Sequence, residues 1–268
     1  MIPKVALENL KLSRMVIGSN QFNAITHRPN GLEILKHKII FREANTVAKF
    51  MIHLVQEHGC NCMVSSPRDK MYEAIQITQK ETGQKLYWIC TPSRRRTVKG
   101  LESSLYEQIN WCADHEVAVC MPHRDYTDHA LDKKTLSIGG GNTGFEPYPE
   151  VSAYIRDKHM IPGLSTHYIE SIEAAEKNKY DTPLIIQPLN KIGFESDCAP
   201  DLLTKKIQET KIKILSIKPM AAGRIKPQEG LPWVVERIKK DDLIAVGCGE
   251  KFEYCVQNGK FMEELLNK

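Results

Sequence analysis

Eight times along the chain a short apolar run is followed by a longer amphipathic segment. That alternation limits the folds open to it. The runs are RMVIGSN (14–20), NCMVSS (61–66), LYWICT (86–91), VAVCMP (117–122), IPGLS (161–165), PLIIQP (183–188), IKILSIK (212–218) and LIAVG (243–247). After them come segments with apolar residues at helical spacing: 41–59, 69–83, 100–116, 148–160, 168–178, 201–210, 231–240 and 251–266. Runs such as KILSI and LIAV are apolar at consecutive positions, which fits strands buried on both faces in a parallel sheet. Regular β–α alternation calls for parallel strands joined by right-handed crossovers. Eight units in 268 residues predict an α/β fold, a (β/α)8 TIM barrel, built as one domain over residues 1–268. A doubly wound open sheet is the competing arrangement.

Composition narrows the partners. The 37 basic and 33 acidic residues nearly balance, at a net charge of +4, which gives no footprint for nucleic acid. No run of about 18 apolar residues exists to cross a membrane. The N-terminal MIPKVALENLKLSR is too charged for a secretory signal. A cytoplasmic protein with no nucleic-acid or membrane partner is expected. The eight cysteines form no CxxC pair, so they read as reduced, mostly buried thiols rather than a zinc ribbon.

In such a barrel, chemistry is expected in the loops at the carboxyl ends of the strands. Reading those ends in order gives Asn20, Gln21 and His27; Ser65, Ser66, Arg68 and Asp69; Thr91 and Arg94–Arg96; His123, Arg124 and Asp125; Ser165 and His167; Gln187 and Asn190; Lys218 and Arg224; Gly247, Gly249 and Lys251. His123 and His167 each follow an apolar strand closely. Imidazoles suit proton transfer at neutral pH. The set His27, His123, Asp125 and His167 is therefore the candidate catalytic group. The same four could converge on a divalent metal, although no HxH or HExxH spacing requires one. Arg68, Arg94–Arg96, Arg124, Lys218 and Arg224 suggest an anionic small-molecule ligand, phosphorylated or carboxylated. The stretch from His123 to Tyr148 is long for a βα loop. Its SIGGGNTG run (137–144) reads as the flexible hinge of a lid.

Several segments resemble the aldo-keto reductase family. KLSRMVIGSNQF is similar to its first strand, IPGLSTH to its fifth and PLIIQPLN to its sixth. ILSIKPMAAGRI resembles the seventh strand and the loop that wraps the cofactor pyrophosphate, and LIAVGCGEKFEYCVQN the eighth. The resemblance follows the chain in order and is strongest after residue 160. It implies a (β/α)8 barrel that reduces a carbonyl compound with NADPH. Carried over, Ser165 and Gln187 would contact the nicotinamide amide. The loop from Pro219 through Gly223 and Arg224, entered from Lys218, would hold the pyrophosphate, and Lys251 and Asn258 would stand near the adenosine. His123 occupies the place of the family's fourth-strand histidine. Two other catalytic positions depart from the pattern. Thr91 and Pro92 stand where a third-strand lysine is usual, and Asp69 and Tyr72 lie at the wrong spacing after strand 2. A tyrosine without a cation beside it titrates near 10 and is a poor proton donor at neutral pH.

Three functions stay open. One is an NADP-dependent oxidoreductase with an altered catalytic set. Another is a histidine- or metal-based lyase, isomerase or hydrolase acting on an anionic metabolite. The last is a non-catalytic cofactor-binding protein.

Overall fold

The computed structural model describes residues 1–27, 31–97, 100–141 and 143–268, with the backbone alone at 95–97 and 100–102. The eight expected strands are present as β1 (Met15–Gly18), β2 (Cys62–Ser65), β3 (Tyr87–Cys90), β4 (Val119–Cys120), β5, β6 (Leu184–Pro188), β7 (Lys213–Ile217) and β8 (Leu243–Gly247). β5 comes in two pieces, Ile161–Pro162 and Leu164–Ser165. The first piece pairs with β4 (Ile161 with Val119) and the second with β6 (Leu164 with Ile185). The remaining strands run β4–β3–β2–β1–β8–β7–β6, all parallel. The order therefore returns to β5, and the two halves of one strand complete the ring. The fold is the (β/α)8 barrel, and the open sheet is set aside.

Gly163 explains the split strand. A Cβ there would stand 2.6 Å from the Leu184 carbonyl oxygen and 2.7 Å from Met121 Cε. Only glycine lets the two neighbouring strands come this close.

Strand residues divide between two apolar layers. Val16, Cys62, Ile89, Val119, Ile161, Ile186, Leu215 and Leu243 fill the barrel interior. Their neighbours Met15, Ile17, Met63, Trp88, Cys120, Leu164, Ile185, Ile214 and Ile244 face the helices. This is why the strands read as continuous apolar runs. A hairpin ahead of β1, Lys4–Leu7 with Leu10–Ser13, adds Leu7 and Leu12 to the interior.

The helices are α1 (Gly31–Ile40), α2 (Ala44–His58), α3 (Asp69–Thr82), α4 (Leu105–Asp114), α5 (Arg124–Ala130), α6 (Tyr148–Asp157), α7 (Ile169–Asn178), α8 (Pro200–Glu209), α9 (Pro227–Val235) and α10 (Phe252–Leu266). α1 and α5 are not among the expected helices, and two of the expected ones start a turn or more away. α4 starts at Leu105 rather than 100 because Arg95–Thr97 and Gly100–Ser103 form a hairpin first. Ser104 then caps the helix: its Oγ accepts from Glu107 N while the Glu107 carboxylate accepts from Ser104 N. α9 begins one turn earlier than 231, with Pro227 in its first turn, where a missing N–H costs nothing.

The stretch after β4 also differs from the flexible lid expected there. It holds α5 and a two-stranded hairpin, Leu131–Asp132 with Ser137–Ile138. Gly139 N donates to Ala130 O, and Gly140 N donates to Phe145 O. A Cβ on Gly139 would sit 1.9 Å from Glu146 O, so this glycine serves close backbone packing. Asn142 of the GGGNTG run, and the side chains of Arg95 and Arg96, lie outside the described residues.

Candidate active site at the carboxyl rim

The loops after β1, β5, β6 and β7 meet on one carboxylate, that of Glu195. Its Oε2 accepts from Lys218 Nζ at 2.6 Å, and its Oε1 lies 2.8 Å from His27 Nδ1. His167 Nδ1 stands 3.6 Å from Oε2, while His167 Nε2 accepts from Lys218 Nζ at 3.2 Å. Asn20 Nδ2 is 3.4 Å from His27 Nε2. These contacts are mutually consistent if both imidazoles carry their proton on Nδ1.

Each member is placed by its own backbone. Lys218 follows the last residue of β7 with φ of 60°, and Ala221 and Ala222 are also left-handed. For residues with a Cβ this conformation is strained, and such strain gathers at functional sites. Glu195, also left-handed at φ 58°, sits in a loop pinned by Asn190. The Asn190 side chain accepts from Phe194 N at 2.8 Å and donates to Phe194 O at 2.9 Å. Arg224 braces the same loops: its guanidinium lies 4.1 Å over the Phe194 ring and donates to His27 O at 3.1 Å.

His167 is clamped from both sides. Its N–H donates to Asp128 Oδ1 at 3.1 Å, and its carbonyl accepts from Asp197 N. Asp128 also accepts from Thr166 Oγ1 at 2.6 Å. Asp128 belongs to α5, so the loop after β4 is tied to β5 through it. Asp128 lies in the stretch expected to form a flexible lid, but in the fold it is half-buried and bonded. Burial raises its pKa, against the pull of those hydrogen bonds.

The electrostatics follow from this packing. Burial, with Lys218 and Arg124 nearby, pushes the His167 imidazole down to about 3. It is therefore neutral at pH 7, with Nε2 a free base facing an amine. Burial likewise lowers the Lys218 amine, and Glu195 pulls the other way. The Glu195 carboxyl is held far below the usual range, first by its bond from His27 and then by Lys218.

His123 stands apart from this cluster. It is the N-cap of α5, its Nδ1 accepting from Asp125 N at 3.3 Å and lying 3.1 Å from Asp125 Oδ2. The bond from His123 lowers the Asp125 carboxyl. The four groups expected to converge thus divide into His27 with His167, and His123 with Asp125. Among the described residues no group of three or more His, Cys, Asp or Glu is arranged to hold a metal ion. The convergence expected for a divalent ion is not formed, because His27 and His167 face Glu195 and Lys218 instead.

The residues expected along a dinucleotide are placed unevenly. Ser165 is buried at the end of β5. Gln187 is fully buried in β6, and neither atom of its amide has a partner; Ser216, across the ladder from it, is also without one. Gly223 and Arg224 lie in the loop after β7, and Lys251 is the N-cap of α10. Asn258 is committed in part, its Nδ2 donating to Gly247 O at 3.0 Å. Thr166, at the position after Ser165, is committed to Asp128 and Ser171. Tyr72 packs its ring 4.8 Å from that of His115 beside α4. It does not join the Lys218 cluster. The Thr91 hydroxyl donates only weakly to Ser65 O, at 3.5 Å. The cation at this rim comes from β7 rather than from β3.

Two members were invisible in the sequence. Glu195 lies in NKIGFESD with no spacing signature, and Asp128 was masked by its charged neighbours. The one available signal for Glu195 was its place in a long loop directly after a strand end.

No family profile matches the chain, and no curated protein matches it. Solved structures do. A Pseudomonas aeruginosa protein named for the aldo-keto reductases superposes with a TM-score of 0.64 at 15% identity, over 96% of this chain and 92% of that one. Gox0644, solved as a point mutant in complex with NADPH, gives 0.55 at 8% identity, over 99% and 94%. A truncated 3-deoxy-D-arabino-heptulosonate 7-phosphate synthase from Thermotoga maritima gives 0.52 at 12% identity, over 99% and 92%. At these identities the likeness establishes the barrel fold. No helix among the described residues is long and apolar enough to cross a membrane.

Proposed function

We propose that the protein is a barrel enzyme of aldo-keto-reductase-like architecture acting on a small carbonyl compound that carries an anionic group. Lys218, His167 and Glu195 take the place of the third-strand lysine and the tyrosine. The observation that carries this reading is Lys218 at the mouth of β7, held between Glu195 and His167. A buried cation next to a neutral imidazole can polarise a carbonyl and move its protons. His123 and Arg124, at the head of α5, offer donors for a carboxylate or phosphate. The test is turnover of a panel of anionic carbonyl compounds, with and without NADPH. Lys218→Arg should lower kcat/KM at least about 100-fold, roughly 3 kcal/mol of transition-state stabilisation. Retained activity in that variant would sink the reading.

A second reading, NADP-dependent reduction, is favoured by the orphaned amide of Gln187. A buried amide without a partner is costly, and a nicotinamide carboxamide would satisfy it. Ser165 would share that contact, while Gly223 and Arg224 would meet the pyrophosphate and Lys251 the adenosine end. Asn258 spends one N–H of its amide on Gly247 O, which leaves the second N–H and Oδ1 for the adenosine end. NADPH, when bound, supplies a hydride to a carbonyl carbon. A fluorescence titration with NADPH checks this: Gln187→Ala should weaken binding about tenfold, the loss of roughly one buried hydrogen-bonded contact. Binding without turnover would instead favour a non-catalytic cofactor-binding protein.

A further inference from the structure

We propose that Lys218 is a nucleophile that forms an imine with the carbonyl carbon of the anionic ligand. The inference deepens the carbonyl reading above and rests on it. Three features carry it. The Lys218 side chain follows the carboxyl end of β7 at the barrel mouth, and it is one-tenth exposed. A strained backbone at φ 60° aims it across the rim. And it is flanked by one base and one carboxylate with different duties: His167 Nε2 at 3.2 Å and Glu195 Oε2 at 2.6 Å.

Those duties follow from the charges. Glu195, shared with His27, holds the ammonium in place and stays ionised. His167 stays neutral at pH 7, so its Nε2 lone pair accepts a hydrogen bond from the amine and orients it without taking its proton. Burial outweighs Glu195 and makes that proton easier to lose than from an ordinary lysine.

The step balances without an oxidant or reductant. Lys218 gives one proton to solvent, and the free amine, oriented by His167 Nε2, forms a C–N bond as the carbonyl π pair moves to oxygen. The oxygen then takes one proton from nitrogen and one back from solvent. It leaves as water while the C=N bond forms. One positive charge enters, on the ammonium, and one remains, on the iminium.

The contrast with other lysines sharpens the claim. Lys70 is also lowered by burial, but its amine donates to the carbonyls of Phe22 and Phe41 and has no base beside it. Lys205 is exposed on α8, 3.9 Å from Glu209, and serves as the reference amine.

The experiment uses the full chain with glyoxylate, pyruvate or propionaldehyde as probe, at pH 7, with sodium cyanoborohydride to reduce any iminium. The adduct adds the mass of the probe less one oxygen atom. Peptide mapping locates it. The expected result is labelling of Lys218 at least about tenfold ahead of Lys205, as activation of a desolvated amine would give. The two anionic probes should label ahead of propionaldehyde. Lys218→Arg, which keeps the cation for Glu195 and so the fold, should remove that adduct. His167→Gln should slow labelling while leaving the lysine in place. Equal labelling of Lys218 and Lys205 with all three probes overturns the proposal. If carbonyl turnover is found and no adduct forms, the imine fails while the site reading stands. If neither turnover nor adduct appears, both fail.

Discussion

His167 links the chemistry of the rim to the stability of the fold. In the unfolded chain it takes up a proton near the ordinary 6.5, but in the folded protein only near 3. Between those values the unfolded state binds more protons. The stability is therefore fully present above about pH 6.5 and is lost as the pH falls toward 3. Lowering the pH from 7 to 5 should cost about 2 kcal/mol through this one group. Urea unfolding at the two pH values measures it, and His167→Gln should flatten the difference. A slope that persists in the variant would assign the loss to another group. Glu195 acts lower and in part over the same range: its carboxyl is depressed when folded, so its contribution is present above the ordinary 4.5 and is lost as the pH falls below it.

At the scale of elements, the rim depends on loops held by single side chains. Asp128 joins α5 to β5 through Thr166 Oγ1 and His167 N. Asp128→Ala leaves His167 N without its acceptor and Thr166 Oγ1 with Ser171 Oγ alone to donate to, and should destabilise the protein by about 1–3 kcal/mol. It should also raise the mobility of His167, read by NMR order parameters of its backbone. An unchanged unfolding midpoint would argue against the tie. How much of this was legible varies by element. The strands were readable because burial on both faces makes them continuously apolar, and eight of the ten described helices because of their apolar periodicity; α1 and α5 were not. The short hairpins at Leu131–Ile138 and Arg95–Ser103 were not, since two to four residues show no period. Strand ends placed His27, His123, His167 and Lys218 at one rim. They could not tell that Glu195 would gather three of these and leave His123 to Asp125, because such contacts join loops far apart in the chain. Lys218 was readable as a cation for a phosphate loop, while its carboxylate and imidazole partners were not.

At the scale of the whole molecule, closure rests on the two halves of β5. Gly163→Ala forces a methyl against the Leu184 carbonyl and the Met121 side chain. Backbone cannot yield as a side chain can, so a loss of about 1–3 kcal/mol is expected. A fall in the thermal midpoint checks it, and a midpoint equal to the parent would show that the strands can move apart at no cost.

The divided strand makes the ring two arcs that meet at one residue and again along the β8–β1 ladder. The first arc carries His27, His123 and Asp128; the second carries His167, Glu195 and Lys218. A slip of one arc past the other would part His27 from Glu195 and Asp128 from His167, yet leave Lys218 in the grip of Glu195. The amine would keep its charge, while Glu195 and His167 would each lose the bond from the first arc that positions them. The assembly of the reactive centre is thus tied to the wholeness of the ring.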